Sequence, residues 1–274
     1  MVFYWIKVMD NKRISFFLTL KIFLVTSISL IGIIYLQEST IKSYKQTLTQ
    51  NNYLVQEKQE GSQLKLINTL PTLGFQNILA DWLYLKFIQY FGDSNARETI
   101  GYSLSPQYFT QIANRDPRFV DALLKLDTAT SLFAGYPDLS VSLLGKSINA
   151  ITQNFKSPGT APYYLPIYKG VDELLFLGNP KAAADSNRQA SAWAKNYKDS
   201  ESQSVAINTR QTANFLTQNP GSKIPQIGAW VLVLSNASDP RTVKRAIAEI
   251  KVLGGQITTK PDGNLAITVP PEVK

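Results

Sequence analysis

Two residue types that carry much of enzyme chemistry are missing from this chain. Its 274 residues include neither histidine nor cysteine. The usual general base near neutral pH, the thiolate nucleophile and the soft metal ligands are therefore absent. Because a Ser-His-Asp or Cys-His site cannot be built, we predict no catalytic residue, no cofactor and no metal ion.

Asp172 and Glu173 are the one pair of carboxylates that are adjacent in the sequence. Paired carboxylates serve as general acid and base in glycoside hydrolysis. Neighbouring residues on a helix point in different directions, however, so these two would not flank one bond. We therefore expect a protein that is not an enzyme. A cell-envelope enzyme is kept as the last-ranked hypothesis.

Asp81 is the acid that most needs an explanation, because it lies in the middle of an apolar helical segment. A buried carboxylate without a partner is costly. One hypothesis pairs Asp81 with Arg118 across a helix boundary. A second places Asp81, with Trp82 and Tyr84, in a groove that binds a partner. A third leaves Asp81 exposed on the protein surface.

A second group of candidate binding residues is aromatic. Tyr163, Tyr164 and Tyr168 lie beside two prolines at the start of a predicted helix. Tyrosine is enriched at the energetic centres of interfaces, so these side chains could line the concave face of a helical array. Packing between helices explains them equally well.

The elements that position these residues are predicted to be mainly helices. Ser105-Pro106, Asp116-Pro117 and Asp239-Pro240 place a capping residue before a proline, which is typical of helix starts. The segment 71–91 has apolar residues on nearly all sides, so we expect it to be largely buried. Apolar periodicity predicts helices over 71–91, 105–115, 118–134, 137–154, 163–177, 180–197, 200–218, 224–234 and 241–253.

Only the end of the chain has a strand pattern. Residues 256–259 and 265–269 alternate apolar and polar side chains around a turn segment that contains Gly263. This pattern predicts a C-terminal β-hairpin. An isolated hairpin is marginal in water, so we expect it to pack on the preceding helix.

The N-terminus contains the longest apolar run. Residues 14–36 read ISFFLTLKIFLVTSISLIGIIYL, above the roughly 20 residues that a membrane-spanning helix needs. We predict a transmembrane anchor there. A cleaved signal peptide and a buried globular helix are the alternatives. Basic residues are more frequent before the run than after it, which favours a cytoplasmic N-terminus.

The predicted organisation follows from this anchor. It comprises a cytoplasmic N-terminus (1–13), the anchor (14–36), a polar juxtamembrane spacer (37–68), a helical domain (69–236) and a final helix with the hairpin (237–274). The spacer is interpreted as a possible continuation of the anchor helix that ends near Gly61. The net charge of +8 is scattered in single residues. This distribution argues against nucleic-acid binding.

A weak internal repeat underlies the helices. Gly135-Tyr136-Pro137 and Gly178-Asn179-Pro180 each precede a helix with small and apolar residues on one face. This form resembles the turn and second helix of tetratricopeptide (TPR) repeats, although the spacing of 43 residues exceeds the roughly 34 of that family. The resemblance implies helical hairpins rather than a regular array.

A broader resemblance spans about residues 70–190. The motifs Leu73-Gly74-Phe75, Ala80-Asp81-Trp82, Gln89-Tyr90-Phe91-Gly92-Asp93 and Asp116-Pro117-Arg118-Phe119 occur in that order. Together they resemble a bacterial group of membrane-anchored TPR-like proteins that includes cyanobacterial members. The resemblance implies a helical-repeat domain behind one transmembrane anchor and carries no established activity.

The prediction is therefore a mainly α protein, with one N-terminal transmembrane helix followed by a TPR-like solenoid and a β-hairpin. It would contact the bilayer through residues 14–36 and place its helical domain in the periplasm or the thylakoid lumen. Its expected function is that of a protein-binding scaffold, as an assembly factor for a membrane complex. A structural accessory subunit of such a complex is the alternative.

Overall fold

The computed structural model describes residues 21–35, 50–151, 155, 157–237, 239–259 and 265–269. The chain divides into two compact units, Met1–Asn52 and Tyr53–Lys274. In the first unit, residues 21–35 form a helix, α1, whose side chains are nearly all exposed.

The predicted transmembrane anchor is not supported by this structure. Among the described residues, no helix combines the length and the apolar character needed to cross a membrane. The described part of the predicted anchor, residues 21–35, is helical. Residues 14–20 and 36 of the predicted anchor lie outside the described residues. The predictions of a single-pass topology and of a periplasmic or lumenal location depended on this anchor and were also wrong.

The second unit is mainly helical, as predicted. Its helices are α2 (Gln50–Thr69, which begins in the first unit), α3 (Gln76–Gly92), α4 (Ser94–Ile100), α5 (Ser105–Arg115), α6 (Val120–Leu123), a π-helical segment (Asp127–Phe133), α7 (Pro137–Ala150), α8 (Tyr164–Leu175), α9 (Pro180–Ala194), α10 (Ser200–Gln218), α11 (Ile224–Ser235) and α12 (Pro240–Val252). Strands β1 (Gln256–Thr259) and β2 (Leu265–Thr268) follow.

Local turn chemistry sets several of these helix starts. Gly135 and Gly178 adopt positive φ angles of 79° and 59°, and a proline opens the helix two residues later in both cases. Glycine tolerates this left-handed conformation, and proline is preorganised for the first turn. The Asp239 side chain accepts from the backbone N–H groups of Arg241 and Thr242, which caps α12.

The predicted helix 118–134 is broken in the structure. The short α6 is followed by the π-helical segment. The π-helix is a rare conformation, and where it occurs it is often at a functional site. The segment begins at Asp127, which lies in the protein interior and is 3% exposed. Local periodicity does not distinguish this arrangement from a continuous α-helix.

The core of the second unit consists of apolar clusters between consecutive helices. The largest cluster joins α2, α3, α5, α7 and the start of α8, and a second joins α8, α11, α12 and the hairpin. Helices α7, α8, α9 and α10 pack against one another in sequence order. This order of packing is helical-repeat-like.

The segment predicted as a spacer contains a docked helix. Helix α2 continues past Gly61 to Thr69, and Leu64 is 2% exposed in the main cluster. A Cβ atom at Gly61 would lie 3.2 Å from the Leu104 side chain, so the glycine permits a close approach. Near the C-terminal end of α2, Gln111 and Arg115 of α5 donate to the carbonyl groups of Leu64 and Ile67 at 2.7 and 2.9 Å.

The predicted hairpin is confirmed. Strands β1 and β2 pair antiparallel, with Gln256 opposite Thr268 and Ile257 opposite Ile267. The two isoleucines pack on the cluster formed by α11 and α12. The hairpin therefore takes its stability from the helix before it, as a two-stranded sheet requires.

Candidate partner-binding site

The α3 candidates lie on different sides of their helix. Asp81 and Trp82 are exposed, and Tyr84 is half-buried with its ring edge-on to Phe119 at 5.2 Å between centroids. Asp81 has no hydrogen bond or ion pair within the part of the chain that the structure describes, so the proposed pairing with Arg118 was wrong. The carboxylate needs no partner because it faces water.

The expectation that α3 is largely buried was also wrong. One side of the helix packs in the main cluster, but the other side remains exposed. Ile78 is 64% exposed, Leu85 60% and Trp82 41%. Large exposed apolar patches are unusual on monomeric proteins, so this face is a candidate interaction surface.

The tyrosines at the start of α8 contact other parts of the protein. Tyr163 is buried, with its hydroxyl 3.2 Å from that of Ser202 in α10. The Tyr164 hydroxyl donates to the Glu201 carboxylate at 3.1 Å. Tyr168 is half-buried, and burial raises the pKa of its hydroxyl. Tyr163 and Tyr164 therefore link the start of α8 to α10.

A groove between α8, α10 and α11 is the surface best suited to bind a partner. It has a volume of about 690 Å³, within the range of roughly 300–1,000 Å³ for ligand sites. None of the described residues that line it carries a charge. Its apolar walls include Ile167, Val171, Leu174, Phe215, Ile224 and Leu232.

Amides and a glycine shape the rim of this groove. The Asn208 and Gln211 side chains of α10 are exposed and have no hydrogen bond to other described residues. Each amide offers donors and an acceptor to a ligand. On the opposite wall, a Cβ atom added at Gly228 of α11 would have no atom within 4 Å. The groove therefore has free space beside α11 and unused polar groups beside α10.

No family model, curated protein or solved structure matches this chain. Its resemblance to membrane-anchored TPR-like proteins thus remains a prediction from sequence motifs.

A second cavity lies between α3 and the start of α12. It has a volume of about 530 Å³ and is lined by Tyr84, Phe87, Phe91 and Tyr102. Arg241 also lines it and donates to the Tyr102 hydroxyl at 2.5 Å. The aromatic side chains of this lining pack mainly against one another, as Phe91 does on Tyr102. We therefore regard this cavity as secondary to the groove.

The adjacent acids of α8 face different neighbours. The Ser140 hydroxyl of α7 donates to Asp172, whereas Ser186 of α9 donates to Glu173 at 2.6 Å. Lys169 pairs with Glu173 one turn away. The two carboxylates therefore do not converge on one substrate bond. Among the described residues, no three acidic side chains group closely enough to hold a metal ion.

Asp172 instead shares the interior with Asp127. Both carboxyl groups are buried, and one Asp172 oxygen has no partner among the described residues. Burial raises the pKa of Asp127 to about 7. Burial and the nearby Asp127 raise the pKa of Asp172 well above its usual value.

Several of these features had no clear sequence signal. Asp127 lies in a segment predicted as regular α-helix, and Gly228 was one glycine in an apolar helix. The exposed face of α3 did have a sequence signal: Ile78, Trp82 and Leu85 are separated by four and three residues, the spacing of apolar residues on one side of a helix. That spacing was interpreted as burial within the domain.

Proposed function

We propose that this chain is a protein-binding scaffold that holds an extended, uncharged segment of a partner protein in the α8–α10–α11 groove. The observation that carries the proposal is the groove itself, a mainly apolar channel whose described lining residues are all uncharged. Its position on consecutively packed helices suits a binding surface, since helical repeats commonly bind ligands along extended faces.

The chemistry of the lining specifies the partner. A charged segment would lose hydration without gaining a countercharge, so the groove disfavours it. Apolar side chains of a partner can pack between Phe215 and Leu232 from opposite walls. The partner backbone can exchange hydrogen bonds with Asn208 and Gln211.

Two roles are consistent with such a groove. An assembly factor would bind its client transiently and below stoichiometric amounts, and it is the role we favour. A structural accessory subunit would co-purify with its complex in a fixed ratio. An enzymatic role is not favoured, because Asp172 and Glu173 have separate partners.

Gly228 provides a sharp test of the groove. A Gly228→Phe change should fill the free space and weaken binding by at least about tenfold, since it blocks apolar contacts worth more than about 1.4 kcal/mol. Gly228→Ala is the matched control: it adds only one methyl group, raises helix propensity and should keep affinity within about twofold.

The measurement begins with a library of random peptides displayed on phage and selected on the purified full-length chain. Enriched peptides are then synthesised with a fluorophore, and their dissociation constants are measured by anisotropy. We expect sequences rich in apolar residues and poor in charge. Peptides that bind wild type and Gly228→Phe equally, or a failure to enrich any sequence, would contradict the proposal.

A further inference from the structure

The exposed face of α3 follows a coiled-coil repeat. Ile78, Trp82, Leu85 and Gln89 are all exposed, and they are separated by four, three and four residues. This is the a/d spacing of a heptad repeat, in which Trp82 and Gln89 take position a, whereas Ile78 and Leu85 take position d. Phe75, the residue just before the helix, is also exposed. The seam points into solvent, because the opposite side of α3 packs on α5.

The charges beside this seam are complementary in one arrangement. Asp81 takes position g and Lys86 takes position e of the following heptad, and they are the charged residues of α3. In a parallel pair of helices, position g of one helix lies beside position e of the next heptad in the other helix. Two copies of α3 would therefore form two Asp81–Lys86 ion pairs. An antiparallel pair would place like charges together.

The exposed apolar area is large enough for an interface. Six apolar side chains between residues 73 and 88, two of them just before α3, are 41–83% exposed, which amounts to on the order of 700 Å² if each large side chain offers roughly 150–250 Å². This exceeds the roughly 300–600 Å² of the largest patch on a typical monomer. It approaches the roughly 800 Å² that each partner contributes to a standard interface.

We propose that two copies of this chain associate through α3, which pairs in parallel with its counterpart as a short two-stranded coiled coil. The apolar seam supplies the affinity, and the Asp81–Lys86 pairs select the parallel orientation. The lone polar a position, Gln89, limits alternative registers. This surface is separate from the α8–α10–α11 groove, so the two proposals can fail independently.

Charge reversal tests both the pairing and its direction. Asp81→Lys or Lys86→Asp alone places like charges together at both contacts and should raise the dimer dissociation constant about tenfold. The double variant restores opposite charges and should return the constant to within about threefold of wild type. The constants are measured by sedimentation equilibrium of the full-length chain at micromolar concentrations.

Two further variants identify the surface. Leu85→Asp should raise the dissociation constant about a hundredfold or more, because it places a charge in the seam. Ile207→Asp replaces a residue of α10 that is similarly exposed, at 57%, and should leave the constant unchanged. Circular dichroism spectra checked against wild type establish that each variant is folded.

Three outcomes would overturn the proposal. A wild-type chain that stays monomeric at these concentrations would show that the seam is unpaired. A dimer that survives Leu85→Asp would use another surface. Dissociation by Leu85→Asp without any response to the single charge reversals would place α3 in the interface but exclude the parallel arrangement.

Discussion

At the scale of single residues, the buried acids Asp127 and Asp172 determine how stability responds to pH. Neither has a basic partner among the described residues, and each carboxyl group lies in the interior. A carboxyl group in such surroundings is favoured in its neutral form. The folded protein consequently binds these protons more tightly than the unfolded chain does.

Stability should therefore decrease as pH rises. The unfolded carboxyl groups titrate near pH 4, whereas the pKa of Asp127 is raised by burial to about 7 in the fold. The stabilisation from bound protons is complete below about pH 4 and is lost as the pH increases through about 7. Urea denaturation between these pH values measures the decrease. A free energy of unfolding that rises over this interval would contradict the assignment.

Asp172→Asn should remove part of this pH dependence. An asparagine oxygen can still accept from Ser140 and carries no charge to bury. We expect higher stability than wild type at pH 8 and a flatter pH profile. Asp185→Asn is the control, because its side chain is 62% exposed. The same urea measurements apply, and equal pH profiles for wild type and Asp172→Asn would refute the prediction.

At the scale of elements, a polar network fixes α2 to the helices that follow it. The Glu57 carboxylate accepts from the Arg97 guanidinium at 3.4 Å, from Tyr90 at 3.1 Å and from Ser103 at 3.0 Å. The Arg97 guanidinium also stacks on the Tyr90 ring, 3.7 Å from its centroid. The side chains of the ion pair are only 4% and 11% exposed.

Removing one partner of this pair should be costly. Glu57→Ala leaves a buried Arg97 without a countercharge, and we expect a loss of about 3–5 kcal/mol in the free energy of unfolding. Glu249→Ala breaks the more exposed pair with Arg245 on α12 and should cost below about 1 kcal/mol. Chemical denaturation of both variants at pH 7 provides the comparison. Equal costs would mean that the Glu57 network does not hold α2.

Sequence-based prediction succeeded where local chemistry decides the structure. Helices α5 and α10 have their predicted bounds, and the turn glycines Gly135 and Gly178 precede proline-initiated helices. Caps, prolines and left-handed glycines act within a few residues, so they are visible in the sequence.

The remaining features depend on contacts between distant residues. Helix α2 has a polar composition, and its role follows from the partners of Glu57 in other elements. The π-helical segment replaces one end of a predicted α-helix because of its place in the core. For α3, periodicity could show that two sides are apolar, but not which side the protein covers. The groove requires three helices that are far apart in the sequence.

At the scale of the whole molecule, separate apolar clusters divide the second unit into regions. The cluster between α11, α12 and the hairpin includes Ile250, which has no exposed surface. Helices α11 and α12 pack mainly on each other, on α8 and on β1. In a fold whose helices mainly contact their sequence neighbours, stability can differ from one region to another.

Ile250→Ala should expose this division. It removes buried methyl groups and should lower the stability of the C-terminal region by about 2–5 kcal/mol. Hydrogen exchange monitored by mass spectrometry should show faster exchange in α11, α12 and β1 than in α3 and α5. Val252→Ala on the same helix, where the side chain is 77% exposed, is the control. Uniform acceleration across all helices would instead indicate one cooperative unit.

The exposure of Trp82 gives the molecule a built-in optical reporter. Trp193 and Trp230 are only 6% and 5% exposed, so an aqueous quencher such as iodide reaches them poorly. In a Trp5→Phe background, collisional quenching would report almost entirely on one indole ring. Its emission maximum would shift to shorter wavelength whenever another surface covers it. Occupancy of this face could thus be followed without a label.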